Sequence, residues 1–225
     1  MKQTKSMRNA LSMEYDISMY KRKITYSTFK RFCDIIFSLT FLILFSWLYL
    51  ILIICVKCTS KGPAFYGHER IGKNGKKFKL WKFRSMKCDN RPLEEIFTPE
   101  QMEEYKREFK VTNDPRITKF GKFLRKFSFD ELPQIWDIFV GRISVVGPRP
   151  PLQCEVEKYN EYQSHRLDVK GGLLCLWQIQ KNRHQISFDE WVDLDIKYVE
   201  TRSVWLDIKI ICLGFFRVLF DHSGE

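Results

Sequence analysis

Ile35-Ile36-Phe37-Ser38-Leu39-Thr40-Phe41-Leu42-Ile43-Leu44-Phe45-Ser46-Trp47-Leu48-Tyr49-Leu50-Ile51-Leu52-Ile53-Ile54-Cys55-Val56 runs for 22 residues without a charge. As a helix rising about 1.5 Å per residue it would reach about 33 Å, enough to match a bilayer's hydrocarbon core. It begins too far from Met1, and is too long, for a cleaved signal peptide, and it lacks a small-residue cleavage site. Lys21, Arg22, Lys23, Lys30 and Arg31 precede it, and Lys57, Lys61, Arg70, Lys73, Lys76 and Lys77 follow it. Basic flanks belong on the cytoplasmic side of a membrane. A spanning helix would leave one cluster outside, whereas a helix that enters and leaves by one face satisfies both. Charge therefore favours a re-entrant helix over a single-pass anchor. Such a helix needs a break, and no proline supplies one. Ser46 and Trp47 occupy the middle of the run, and a serine hydroxyl bends a helix only slightly.

Outside this run the chain is polar and basic. The net charge of +11 suits anionic partners: a lipid surface, phosphorylated small molecules or nucleic acid. No recognition helix or aromatic single-strand platform is apparent, which argues against nucleic acid. The seven cysteines are odd in number and partly in apolar stretches, so they read as reduced thiols and not as a disulfide frame. Cys55-Val56-Lys57-Cys58 has the spacing of a metal or redox pair, but no second pair accompanies it. The histidines show no ligand spacing.

Local patterns place the remaining elements. Residues 1–20 lack periodicity. Ala64 to Tyr66 and Lys77 to Phe83 read as short strands around the turn Gly72-Lys73-Asn74-Gly75. Residues 92–110 read as a charged helix. Phe120, Phe123, Leu124 and Phe127 recur at helical spacing among Lys119, Lys122, Arg125 and Lys126. Such a helix suits an anionic bilayer surface, and equally a core contact with a solvated basic face. Leu132 to Val140 continues as helix, with Gly141 placed to end it. Gly147-Pro148-Arg149-Pro150-Pro151 is a rigid turn. Helices follow over 152–168 and 187–201. Trp205 to Phe220 is apolar, but Asp207, Lys209 and Arg217 interrupt it too often for a span.

The sharpest local feature is Ser128-Phe129-Asp130-Glu131-Leu132-Pro133-Gln134. Adjacent helical residues point about 100° apart, so the two carboxylates cannot share one task symmetrically. One could meet a phosphorus atom while the other meets a metal. A carboxylate attacking a phosphoryl group divides a transfer into two steps, and Mg²⁺ with basic side chains neutralises the charge. Lys82, Arg84, Arg125, Arg149 and Arg183 are the candidate cations. The bland alternative is a capping box, with Ser128 as N-cap and Glu131 reaching back to it.

In combination the chain resembles the monotopic phosphoglycosyl transferases, bacterial sugar transferases that start glycan assembly on undecaprenyl phosphate. The resemblance spans about Lys30 to Leu219. It rests on Lys30-Arg31-Phe32-Cys33-Asp34, on Gly62 to Gly72, on Lys82-Phe83-Arg84-Ser85-Met86 and on Asp114-Pro115-Arg116-Ile117-Thr118. Leu124-Arg125, Phe129 to Gln134, Val146-Gly147-Pro148-Arg149-Pro150 and Trp205-Leu206-Asp207-Ile208-Lys209 follow in family order. Three departures stand out. Trp47 replaces the usual proline at the helix break, His68 replaces a glutamine, and Gly171 to Arg183 differs from the usual pattern.

The resemblance implies an α+β fold, mostly helical, with a small strand element, one N-terminal re-entrant membrane helix and interfacial amphipathic helices. It divides the chain into a juxtamembrane segment (1–29), the membrane helix (30–57) and a membrane-associated catalytic domain (58–225). It implies Asp130 as nucleophile, Glu131 as its partner at a catalytic Mg²⁺, and Lys82, Arg125, Arg149 and Arg183 at the substrate phosphates, with Arg84 kept beside them as a candidate cation. Asp207 is implied as a further active-site acid, and Arg31 and Asp34 as the pair that starts the membrane helix. The implied donor is a nucleotide sugar, first a UDP-sugar, and the acceptor a polyprenyl phosphate. The implied setting is the cytoplasmic face of a bacterial inner membrane with anionic lipids and no nucleic acid; a homodimer is compatible with it. A scaffold that has lost activity and a membrane-tethered basic binding module are the alternative readings.

Overall fold

The uncharged run does not form one straight helix. In the computed structural model, which describes residues 24–89, 91–108, 111–180 and 186–220, helix α1 (Ile24–Leu44) and helix α2 (Ser46–Thr59) meet at a 65° bend. Among the described residues no single helix is long and apolar enough to cross a membrane; this bent pair together has the length and composition. The break falls at Phe45, whose backbone (φ −106°, ψ 13°) leaves the helical range. No proline is needed. The Ser46 hydroxyl donates to the Ile43 carbonyl at 3.0 Å, satisfying an acceptor that the broken ladder would leave open. The Phe41 and Phe45 rings pack with centroids 4.5 Å apart at the break.

The two halves dock on different cores. Leu52 and Val56 of α2 are buried with Ala64, Phe83 and Leu124. Phe41 and Leu42 of α1 pack against a larger cluster that includes Leu80, Ile135, Ile138, Ile143, Val146, Tyr198 and Ile210. Arg31 donates to the carbonyls of Ile138 and Phe139 at 2.6 and 2.7 Å. Both carbonyls lie in the last turn of a neighbouring helix, where a cation complements the helix dipole, and the Ile138 carbonyl also accepts from Gly141 N at 3.0 Å. Buried Asp34 accepts from Ser144 Oγ at 2.7 Å and Val145 N at 3.1 Å. The Arg31 and Asp34 pair expected at the start of the membrane helix thus fastens α1 to the body of the protein.

Strands β1 (Phe65–Ile71) and β2 (Lys77–Phe83) form the expected antiparallel hairpin, with Tyr66 opposite Lys82 and His68 opposite Leu80. Gly62 enters it at φ +122°, and a Cβ there would sit 2.4 Å from the Arg84 guanidinium, so the position suits only glycine. The single helix expected over 92–110 is two: α3 (Leu93–Ile96) and α4 (Pro99–Glu108). Pro99 disfavours helical geometry at Thr98 and starts a new helix instead. Helix α5 (Lys119–Lys126) is capped by Thr118, whose hydroxyl accepts from Gly121 N at 2.8 Å. Its Leu124 is buried and its Phe123 exposed, so this helix packs on the core while part of its apolar stripe stays open.

A 3₁₀ turn, Phe129–Glu131, leads to α6 (Gln134–Val140), which Gly141 ends at φ +85°. Strand β3 (Ser144–Val146) then pairs in parallel with β4 (Gly172–Leu174). Between them lie α7 (Gln153–Val156), α8 (Glu161–Ser164) and a 3₁₀ turn, His165–Leu167. A 3₁₀ turn Trp177–Ile179 follows β4. Helix α9 (Phe188–Thr201) opens with a capping box of Ser187 and Glu190, and α10 (Val204–Phe220) closes the described chain. The described residues are mostly helical, as expected, and the strand content is the expected hairpin and a second small sheet, β3–β4.

Large apolar side chains stay exposed along one set of elements: Ile36, Ile43, Leu44, Trp47, Leu50 and Ile54 on α1 and α2, and Trp205, Ile208, Phe215 and Phe216 on α10. Trp205 is 82% and Ile43 65% exposed. Exposed apolar surface of this extent marks an interaction surface, not a finished exterior.

Candidate active site

Asp130 and Glu131 lie on the 3₁₀ turn and not at the start of an α-helix. Ser128 does not cap it. It adopts left-handed geometry (φ 54°, ψ 22°) with no side-chain cap bond, and its N–H donates to the Arg125 carbonyl at 3.1 Å. Ser128 therefore terminates α5, in the place where glycine or asparagine is usual. The capping-box reading is overturned, and the strained residue sits two positions before Asp130.

This turn presents the two carboxylates to β2. Lys82 donates to Glu131 Oε1 at 2.6 Å, and its Nζ lies 3.9 Å from Asp130 Oδ2. Tyr49 of α2 holds the following residue by donating to the Leu132 carbonyl at 2.6 Å. Arg125, which donates from Nε to Ser85 Oγ at 3.0 Å, acts on Asp130 from the α5 side.

The environment separates the two acids. Burial pushes the Asp130 carboxyl up to about 6; Lys82 and Arg125 pull against this, and the Glu131 charge adds to it. Burial also opposes ionisation of Glu131, but Lys82, Arg149 and Arg70 together hold its carboxyl below the ordinary glutamate value. One acid is thus a firm anion among cations, while the other keeps a higher proton affinity and a more basic carboxylate.

Arg149 joins the site through its charge on Glu131. Arg70 does so as well, and the sequence reading did not single it out for this role. It is buried, donates to the Pro150 carbonyl at 3.1 Å and lies 3.3 Å from His68 Nδ1. Burial and the Arg149 charge push its guanidinium down to about 10. Burial, with Arg70, Lys82 and Arg149, also holds His68 below its usual value. The available signal was the strand period: Tyr66, His68 and Arg70 share one face of β1, and the register sets that face beside Lys82.

Two expected site residues are engaged elsewhere. Arg84 is buried at the end of α2, where it donates to the carbonyls of Ser60 at 2.6 Å and Val56 at 3.4 Å. It closes a helix C-terminus, and none of its hydrogen bonds among the described residues reaches the dyad. Asp207 accepts from Tyr26 at 2.8 Å, Lys30 at 2.7 Å and Tyr198 at 2.7 Å. Both its oxygens serve the junction of α1, α9 and α10, and the structure does not bring it to the dyad. Arg183 lies outside the described residues. The break falls at Phe45, and Ser46 and Trp47 are the first two residues of α2 after it.

Among the described residues no group of three or more His, Cys, Asp or Glu side chains gathers as a metal cage. The Asp130–Glu131 pair nonetheless fits Mg²⁺, which is commonly held by one or two carboxylates together with substrate phosphates and water.

A family profile described as bacterial sugar transferase matches residues 25–221. The chain belongs to the bacterial sugar transferase family. This family member is 42% identical over 185 residues to the exopolysaccharide production protein ExoY of Rhizobium meliloti (strain 1021), covering 81% of each chain. It is 39% identical over 212 residues to the galactosyl transferase CpsE of Streptococcus agalactiae serotype III (strain NEM316), covering 94% of this chain and 46% of that protein. It is 41% identical over 186 residues to the undecaprenyl-phosphate galactose phosphotransferase of Salmonella typhimurium (strain LT2), covering 81% of this chain and 38% of that one. The chain therefore spans less than half the length of the latter two relatives.

Proposed function

We propose that this sugar transferase moves a sugar 1-phosphate from a UDP-sugar to undecaprenyl phosphate, with Asp130 as nucleophile. The observation that carries the reading is the dyad itself: two adjacent carboxylates tuned apart and faced by Lys82, Arg125, Arg149 and Arg70. In the first step an Asp130 oxygen attacks the sugar-bearing phosphorus. The bond from that phosphorus to the bridging oxygen breaks and UMP leaves, giving an aspartyl phospho-sugar. In the second step an oxygen of undecaprenyl phosphate attacks the same phosphorus and the Asp130 carboxylate is released. With its carboxyl at about 6, Asp130 is mostly ionised at neutral pH, as a nucleophile must be. Lys82 and the arginines orient the diphosphate and offset charge on its oxygens. Glu131, with Asp130, would hold Mg²⁺, which supplies further neutralisation of the phosphate oxygens when bound.

The bent α1–α2 pair is read as a re-entrant element in the cytoplasmic leaflet of the bacterial inner membrane. The basic residues on both sides of the bend and the exposed apolar side chains of α1, α2 and α10 support this placement. It would bring a lipid acceptor and a soluble donor to one interface. The names of the relatives make exopolysaccharide or capsule synthesis the natural setting.

The test incubates the full chain in lipid nanodiscs with undecaprenyl phosphate, Mg²⁺ and a panel of UDP-sugars, and follows UMP. Release from one donor, lost in Asp130→Asn, is expected. Without acceptor, intact mass should then show a phospho-sugar on the wild type and none on the variant. Folded protein that releases no UMP from any donor would overturn the reading.

A further inference from the structure

Arg149 sits in Gly147-Pro148-Arg149-Pro150-Pro151, a segment whose prolines donate no N–H and which has little hydrogen-bonding framework of its own. Its peptide groups are held from outside. Asp195 Oδ2 accepts from Arg149 N at 3.3 Å, and Arg166 Nη2 donates to the Arg149 carbonyl at 3.0 Å. These two holders are themselves an ion pair. Arg166 Nε and Nη2 lie 2.8 and 2.7 Å from Asp195 Oδ2, and both side chains are fully buried. Arg166 also donates to the Tyr159 hydroxyl. The Trp191 ring faces both guanidinium groups, Arg149 at 5.4 Å and Arg166 at 4.9 Å from its centroid. One cluster from α9 and the His165–Leu167 turn thus grips the backbone and the side chain of Arg149.

A buried ion pair is a poor device for stability alone, because desolvation offsets the attraction. This one leaves Asp195 Oδ1 without a hydrogen-bond partner among the described residues. Its geometry is better explained by what it holds. Arg149 is joined to Pro150, whose carbonyl accepts from Arg70 at 3.1 Å; Arg70 shares the strand face that the register sets beside Lys82, the residue bonded to Glu131, and placement of such a cation governs how well it meets a phosphate.

We propose that Arg166, Asp195 and Trp191 are positioning residues that lock Arg149 at the phosphate site of the Asp130–Glu131 dyad. The inference rests on the transferase reading above and adds the device that pre-sets one of its cations. None of the three touches the dyad by any contact in the structure; they act through Arg149.

The test is a double-mutant cycle on the full chain in nanodiscs. UMP release (kcat and donor KM) is measured for wild type, Arg149→Ala, Asp195→Asn, Trp191→Leu and Trp191→Phe, and for Asp195→Asn and Trp191→Leu each combined with Arg149→Ala. Asp195→Asn and Trp191→Leu should each lower kcat/KM about 10- to 100-fold, and Trp191→Phe should recover most of the loss. In the Arg149→Ala background neither should add a further loss. Losses that multiply in the double variants, or single variants at the wild-type level, overturn the proposal. Trp191→Leu leaves the ion pair intact, so it decides the case if Asp195→Asn does not fold. Amide hydrogen exchange over 147–152 is a readout independent of activity: faster exchange there in Trp191→Leu, with α6 and α10 unchanged, is expected, and unchanged exchange overturns the clamp. A wild type without UMP release overturns the transferase reading, and the exchange result then judges the clamp by itself.

Discussion

Lys82 Nζ donates to Glu131 Oε1 at 2.6 Å, joining the β-hairpin to the acidic turn 49 residues later in the chain. The same ammonium lies 3.9 Å from Asp130 Oδ2, so one cation serves both members of the dyad. Removing it leaves two adjacent carboxylates with less neutralisation. Lys82→Met is expected to lower kcat/KM by about 100-fold or more, and Lys82→Arg to restore only part of the loss, because a planar guanidinium cannot replace a compact ammonium between two acids. UMP release at saturating lipid acceptor measures both.

Asp130 gives a pH signature. Its carboxyl rises from an ordinary 3.8 to about 6 in the folded protein, chiefly through burial. The neutral form is therefore favoured by folding. The associated stability is fully present below the unfolded value and is lost as pH rises through about 6. At pH 7 the ionised group is a burden, and Asp130→Asn should stabilise metal-free protein by about 1–3 kcal/mol while abolishing transfer. Denaturant titrations at pH 4.5 and 7 test this: the gain should appear at pH 7 and shrink at pH 4.5. The acid limb of activity should fall near pH 6 and move lower as Mg²⁺ is raised, since a nearby dication favours the carboxylate.

Metal dependence separates the roles of the two acids. Chelation with EDTA should reduce UMP release to background, and added Mg²⁺ should restore it. Glu131→Gln should raise the Mg²⁺ concentration needed for half-maximal rate by about tenfold or more. A variant with unchanged Mg²⁺ dependence would remove Glu131 from the metal site.

The attachment of α1 is tested by stability. Asp34→Ala leaves the Ser144 hydroxyl and the Val145 N–H without their buried acceptor, and is expected to cost about 1–3 kcal/mol. Asp34→Asn keeps an acceptor and should cost less. Thermal melts in one detergent decide between them; equal melting temperatures for all three proteins would contradict the structure.

The bend at Phe45 makes a topological prediction. With other cysteines replaced, Cys58 at the end of α2 and an Ile24→Cys probe at the start of α1 should react with a membrane-impermeant maleimide from the same side of sealed vesicles. Labelling from opposite faces would mean that α1 and α2 cross the bilayer.

Elements with a strong local signal were legible before any coordinates. The uncharged run, the hairpin around Gly72 to Gly75, the helix over 187–201 and Gly141 after α6 each depend on residues close in sequence. The pair β3–β4 was not. Its strands have three residues each, and their pairing depends on the close approach of Gly147 and Gly172, residues 25 positions apart. The cations divided in the same way. The charges of Lys82, Arg125 and Arg149, three of the candidate phosphate cations, act on the dyad. Arg84 has the same charge and lies two residues from Lys82, yet it closes α2, and Arg70 was overlooked although its charge acts on Glu131.

The sequence by itself determined the kind of protein: an apolar run with basic flanks, a basic chain, and an acidic pair in a motif order specific to one family. Periodicity and composition are local properties, and they survive reading along a line. The tertiary structure decided where the run breaks, which cations face Glu131, that Ser128 ends a helix instead of starting one, and that Asp207 ties α1 to α10. Each of these depends on which distant backbone carbonyl or carboxylate reaches a side chain first. Such competition is settled by packing in three dimensions, where one long cationic side chain can satisfy a helix end or a carboxylate, and only the fold brings one of them within reach.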